Sequence, residues 1–82
     1  MATTKDTIHR WIKRGIEENA THMIVVCDTF DHTDYPVYVY SSQLTKEKIE
    51  YIQNASMQRV MEVYNLSMDI EAQLNQFRAW NL

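Results

Sequence analysis

Residues 27–34 read "CDTFDHTD", with Asp28, Asp31 and Asp34 at every third position and His32 among them. Carboxylates and imidazole are ligands for divalent cations, and Cys27 adds a candidate nucleophile. The spacing fits no calcium loop, which alternates its ligands, needs a glycine and ends on a distal Glu. Asp is also favoured in turns, where its side chain bonds nearby backbone. A reactive thiolate wants a cationic neighbour or a helix N-terminus, and Cys27 has an acid beside it instead. The segment therefore reads first as a hairpin turn. A small metal-dependent enzyme built on the Asp28/Asp31/Asp34 cluster ranks third among the functional readings, and no cofactor is expected.

Little else in the chain points to catalysis. His9, His22 and His32 have no Ser, Cys or acid at a recognisable catalytic spacing, and Gly15, the only glycine, rules out a Gly-rich phosphate loop. Binding chemistry is better represented. Arg10, Lys13 and Arg14 share one face of an amphipathic segment, and Arg59 can join them. Tyr35, Tyr38, Tyr40 and Tyr64 offer flat rings with a polar tip, suited to stacking a base. The plainer reading is that the basic face is solvated and that Tyr is common in strands. If the second and third strands are neighbours, Tyr38, Tyr40 and Tyr64 share a face.

The elements that must position these residues follow from periodicity. "TTKDTIHRWIKRGIEENA" predicts a helix capped by Thr3 or Thr4, with Ile8, Trp11, Ile12 and Ile16 as its apolar stripe. Lys13 and Glu17 are one turn apart and can pair. Gly15 allows close approach to a sheet. "HMIVVCDTF" predicts a strand apolar on both faces, with Met23, Val25 and Cys27 on one and Ile24, Val26 and Phe30 on the other. Such a strand must be covered on both sides, by helices or by a partner subunit. "YPVYVYS" predicts a second strand, antiparallel through the loop "DHTD", with Pro36 at its start or on an edge.

Thr45 is a candidate N-cap, with Leu44 and Ile49 as a hydrophobic staple, for a helix from about 46 to 54 that buries Ile49 and Ile52. "RVMEVYNLS" reads as a strand with Met61 and Val63 on one face and Val60 and Tyr64 on the other. A new helix then starts at Ser67, with Ile70, Leu74 and Phe77 as its stripe. One long helix over 56–80 is the alternative. Trp80 and Leu82 call for docking into the core or onto a second subunit.

The fold class expected is α+β: a small antiparallel sheet of about three strands in α-β-β-α-β-α order, forming a single domain over 1–82. A chain of 82 residues buries a thin core, and oligomerisation is a common supplement. The net charge of −3 argues against general nucleic-acid binding, which leans on phosphate neutralisation. One cysteine allows no intrachain disulfide, which fits a reducing compartment. "MATTKDTIHRW" has no apolar core, so no signal peptide is expected. No apolar run approaches the length of a membrane span.

Together "ATHMIVVCDTFDHTDYPVYVY" and "MQRVMEVYNLSMDIEAQLNQFRAW" resemble a family of small, largely uncharacterised proteins encoded by tailed bacteriophages and prophages. The likeness runs from "RWIKRG" to "FRAW" and is most specific in "CDTFD..DYPVYV" and "RVMEVY". It brings no activity and no site residues. It implies a phage accessory protein made in the bacterial host cytoplasm, and such proteins often act on the host.

The leading expectation is a non-enzymatic homo-oligomer that binds a small anionic ligand, a nucleotide-derived host immune signal, and sequesters it. Arg10, Arg14, Tyr38, Tyr40, Arg59 and Tyr64 are the expected contacts, with Asp28, Asp31 and Asp34 meeting ribose hydroxyls or ordering the loop. The alternative is a protein-binding inhibitor of a host defence complex, as anti-CRISPR proteins are.

Overall fold

The computed structural model describes residues 4–76 and 78–82. Its elements are α1 (Lys5–Glu17), β1 (His22–Asp28), β2 (Thr33–Val39), α2 (Thr45–Asn54), β3 (Gln58–Asn65) and α3 (Ile70–Leu74), with a 3₁₀ turn Ser42–Leu44 ahead of α2. The strands form one antiparallel sheet in the order β2-β1-β3. This is the α+β class and the α-β-β-α-β-α order expected. Among the described residues no helix is long and apolar enough to cross a membrane.

β1 is central and covered on both faces by the chain's own helices. Ile24 and Val26 pack with Val39, Ile49, Ile52, Val60 and Val63 on the α2 side. Met23 and Val25 pack with Ile8, Ile12, Tyr64 and Ala79 on the α1 side. Each such aliphatic side chain contributes roughly 1.5–3 kcal/mol over leaving it exposed, which is why a run apolar at both parities belongs in the middle. On α1, Thr4 is the N-cap, its hydroxyl accepting the Thr7 N–H at 3.2 Å. The other cap candidate, Thr3, and Phe77 of the last stripe lie outside the described residues. The ion pair that forms along α1 is Arg14–Glu18 at 3.5 Å. Gly15 makes the close approach expected of it: a Cβ there would lie 2.8 Å from Tyr38 Cε1 and 2.9 Å from Leu66 Cδ1.

Several local expectations are corrected. β1 ends at Asp28, two residues early, because the Asp28 carboxylate accepts the Phe30 N–H (2.8 Å) and its carbonyl accepts the His32 N–H (2.8 Å). The turn is therefore Thr29–His32. Phe30 is exposed rather than inward, and Thr33 and Asp34 belong to β2. Thr45 is the first residue of α2, not its cap. Leu44 holds the N-cap position and makes no side-chain bond, since leucine carries no acceptor; its own N–H donates to Ser41 O at 3.0 Å in the preceding turn. Leu44 is exposed while Ile49 is buried, so no staple forms. α3 is capped by Asp69, which accepts the Ala72 N–H, and not by Ser67. Ile16, expected in the stripe, is 47% exposed.

The largest correction concerns β3. Val25 pairs with Glu62 and Val26 with Val60, which leaves Met61 as an extra residue, a β-bulge. The bulge resets the alternation. Val60 and Val63 both reach the α2 side, and Met61 and Tyr64 both reach the α1 side, the reverse of the pairing that plain alternation predicts.

The two outer edges of the sheet are closed differently. Along β3 the last residues add an extended segment: Val63 N–H donates to Ala79 O (2.9 Å) and Asn81 N–H to Val63 O (3.0 Å). Arg78 donates from Nε to Met61 O (3.1 Å) and from Nη2 to Val60 O (3.3 Å), serving the carbonyls that the bulge disturbs. Ala79 is the buried residue of this segment, and Trp80 and Leu82 stay exposed. On β2 the Val39 carbonyl faces β1, where it accepts the Thr21 N–H at 2.7 Å. Alternation then turns Pro36 outward, so the donor it lacks is missing from the open edge rather than from the ladder. An outward proline blunts edge-to-edge pairing.

Candidate anion-binding cleft

The three aspartates that drew attention first serve the turn and the strand after it. Asp28 closes the turn as described. Asp31 Oδ1 accepts from both the N–H (3.1 Å) and the hydroxyl (2.7 Å) of Thr33, and these bonds hold its carboxyl below the usual range. Asp34 sits on β2 opposite Cys27. Burial first, and then the Asp34 carboxylate, pushes the Cys27 thiol up, the wrong direction for a nucleophile. Arg59 pairs with Cys27 from the other side, so Asp34, Cys27 and Arg59 form one row. Among the described residues no three His, Cys, Asp or Glu side chains converge where they could hold a metal ion.

The tyrosines divide. β2 and β3 are not neighbours; β1 lies between them, and Tyr38, Met23 and Tyr64 form one row across the sheet. Tyr38 and Tyr64 do share a face, but α1 covers it. Tyr64 is 1% exposed, and its hydroxyl donates to Glu62 Oε2 at 3.0 Å. Burial and the Glu62 carboxylate hold this phenol well above its ordinary range. The Tyr38 hydroxyl donates to the Trp11 carbonyl at 2.8 Å. Each buried ring has its polar tip satisfied within the chain, as buried tyrosines require.

Tyr40 is different. It lies just past β2 and is 58% exposed. Its hydroxyl donates to Glu18 Oε2 at 3.1 Å, and Glu18 Oε1 receives Arg14 Nε at 3.5 Å. Partial desolvation and then the Glu18 carboxylate raise its phenol. Beside it opens a shallow cleft of about 280 Å³, lined by Tyr38, Val39, Tyr40, Ser41, Leu44 and Lys48. The surface continues past Leu44 and Lys48 to Glu47 and Tyr51. β2 supplies one wall and the first turn of α2 the other, so both are fixed by the core beneath.

Lys48 and Ser41 line the same cleft as Tyr40, and among the sequence candidates Tyr38 and Tyr40 line it while Arg14 stands beside it, bound to the Glu18 carboxylate that also receives Tyr40. Arg10 is exposed on α1. Asp34 lies at the opposite end of β2, in one row with Arg59 of β3, with Asp28 at the end of β1 and Asp31 in the adjoining turn, separated from Tyr40 by about 20 Å of strand. One small ligand does not span that distance. Lys48 was missed in the sequence reading; its only signal is that it follows Leu44 by one helical turn. In comparisons with known proteins, no family model, no curated protein and no solved structure matches this chain.

Proposed function

We propose that the protein acts by binding and not by catalysis, taking a small anionic, nucleotide-derived ligand into the cleft beside Tyr40. The observation that carries this reading is the cleft itself, where an exposed tyrosine ring and a lysine meet on a rigid frame. The likeness to phage accessory proteins supplies the setting: a bacterial host cytoplasm in which such binding would sequester an immune signal. The test is a melting-temperature screen with cyclic dinucleotides and cyclic ADP-ribose isomers. At a hundredfold excess over Kd, binding stabilises by about 2.7 kcal/mol, a Tm rise of about 10 °C or more for a domain of this size. Tyr40→Ala and Lys48→Gln should abolish the rise while leaving the unliganded Tm nearly unchanged. Ligand recovered intact after heat denaturation marks sequestration, and altered ligand marks an enzyme. No rise with any of these nucleotides would contradict the reading.

A second reading draws on the far side of the same surface. Leu44 and Tyr51 are both exposed, Tyr51 at 73%, and together with Tyr40 they offer an apolar strip that a host protein can cover. A host protein captured by the wild-type chain and lost with Leu44→Asp and Tyr51→Asp, alongside a flat nucleotide screen, would favour it.

A further inference from the structure

At the rim of the cleft beside Tyr40 the chain supplies an anion of its own. Glu18 stands at the C-cap of α1. Its carboxylate takes the Tyr40 hydroxyl on Oε2 (3.1 Å) and Arg14 Nε on Oε1 (3.5 Å). A phenol O–H and a guanidinium N–H aimed at one carboxylate are donors that a phosphate oxygen would also use. We propose that Glu18 is a built-in competitor at this site: its carboxylate holds the two donors that an anionic ligand takes on binding, and so sets how tightly the cleft retains one. The inference rests on the ligand reading above and names what regulates the affinity of that same site.

The carboxylate is placed to be displaced. Glu18 is anchored through its backbone, whose N–H donates to Arg14 O at 3.0 Å and closes the helix. Its side chain is 43% exposed and that of Arg14 72%, and an exposed pair four residues apart is a weak tie. The Glu18 side chain can therefore swing into water without undoing α1. Both charges also act on the wall of the cleft. Tyr38 lines it, and its phenol is raised by burial first, with Arg14 pulling down and Glu18 pushing up. Lys48 is the charged residue of the lining, and Glu47 follows on the continuing surface. While Glu18 keeps Arg14, an incoming anion has Lys48 to meet and a carboxylate to oppose it. Once Glu18 withdraws, Arg14 and the Tyr40 hydroxyl join Lys48. A neutral molecule gains nothing from that exchange, so Glu18 also makes the site select for charge.

Isothermal titration calorimetry tests this on the full chain, with cyclic dinucleotides, cyclic ADP-ribose isomers and uncharged adenosine as probes. Glu18→Gln keeps an acceptor for Tyr40 and removes the charge, and its unliganded Tm should match that of the wild type. It should bind the charged probes roughly fivefold more tightly at low salt, the size of one close charge–charge repulsion in water, with the gain shrinking as salt rises. Adenosine should show no gain, a distinction that a merely structural role for Glu18 would not make. Adding Arg14→Gln should cancel most of the gain, because no guanidinium is then released. Glu47→Gln, the same charge change away from these donors, should gain less. Wild-type binding that Glu18→Gln leaves unchanged or weakens would overturn the inference and leave the ligand reading standing. An equal gain from Glu47→Gln, or a gain that survives Arg14→Gln, would do the same. No binding of any nucleotide by either chain would overturn both.

Discussion

The two faces of the sheet are built on different principles. The buried core of the α2 face is aliphatic, Ile24, Val26, Val39, Ile49, Ile52, Val60 and Val63, with half-buried Tyr35 at its border, where the phenol accepts from Gln58 Nε2 at 3.0 Å. The α1 face holds Met23, the phenols of Tyr38 and Tyr64, which must find acceptors, and a glycine pressed against a ring. An aliphatic layer needs the right volume, and similar shapes can exchange within it. The α1 layer needs particular atoms in particular places. The lesson for function is that a run of tyrosines is no platform by itself. The helix that covers Tyr38 and Tyr64 packs their rings against the core, and of the three tyrosines expected to share a face only Tyr40, one step past the strand, stays exposed.

Substitutions can sharpen this contrast. The largest effect is expected from Ile24→Ala, which opens a cavity in the centre of the aliphatic layer and should cost about 2–5 kcal/mol in urea unfolding, whereas Ile49→Val should cost about 0.5–1.5 kcal/mol. Next is Gly15→Val, whose side chain would drive into Tyr38 and Leu66 and should cost about 1–3 kcal/mol. An effect near zero would show that α1 rides freely on its face. Tyr64→Phe removes the donor to Glu62 in a buried setting and should cost about 1 kcal/mol. Tyr40→Phe removes an exposed bond to Glu18 and should fall within about 0.5 kcal/mol of wild type.

A pH series separates the α2 side further. His22 is buried at the start of β1. Its Nδ1 lies 3.1 Å from the Thr21 hydroxyl oxygen, which also contacts Val39 O at 3.1 Å. Burial lowers the His22 pKa from 6.5, with the Leu82 backbone working the other way. The unfolded chain therefore binds the proton more readily than the folded one. The His22 contribution should be level above about pH 6.5 and fall as pH drops below it, until the folded-state pKa is passed. The depressed Asp31 carboxyl adds a loss of the same sign only at more acid pH. Urea midpoints at successive pH values check this, and His22→Gln should flatten the first decline.

The order of elements was legible because β1 is apolar at both parities and the helices carry their own stripes. The register of β3 was not. "RVMEVY" alternates well enough to hide a bulge, and Met61 carries no glycine to mark it. Ile16 and Phe30 fit inward patterns, yet one lies at the border of its helix stripe and the other is drawn into the turn by Asp28. At the candidate site, Tyr40 was legible as a tyrosine near a basic helix face. Lys48 was not, because a lysine on a solvent-facing helix surface looks like any other until a strand places a cleft beside it. The fate of Tyr64 depended on which strands were neighbours, and periodicity is silent on that.

The central claim, that this is a binding protein whose ligand sits beside Tyr40, is met most directly by native mass spectrometry of the chain purified from an infected bacterial host. The account predicts a non-covalent adduct with the mass of a small nucleotide-derived anion, released intact on denaturation and absent from Tyr40→Ala and Lys48→Gln. Protein free of any small-molecule adduct, or an adduct that both variants retain, would contradict it.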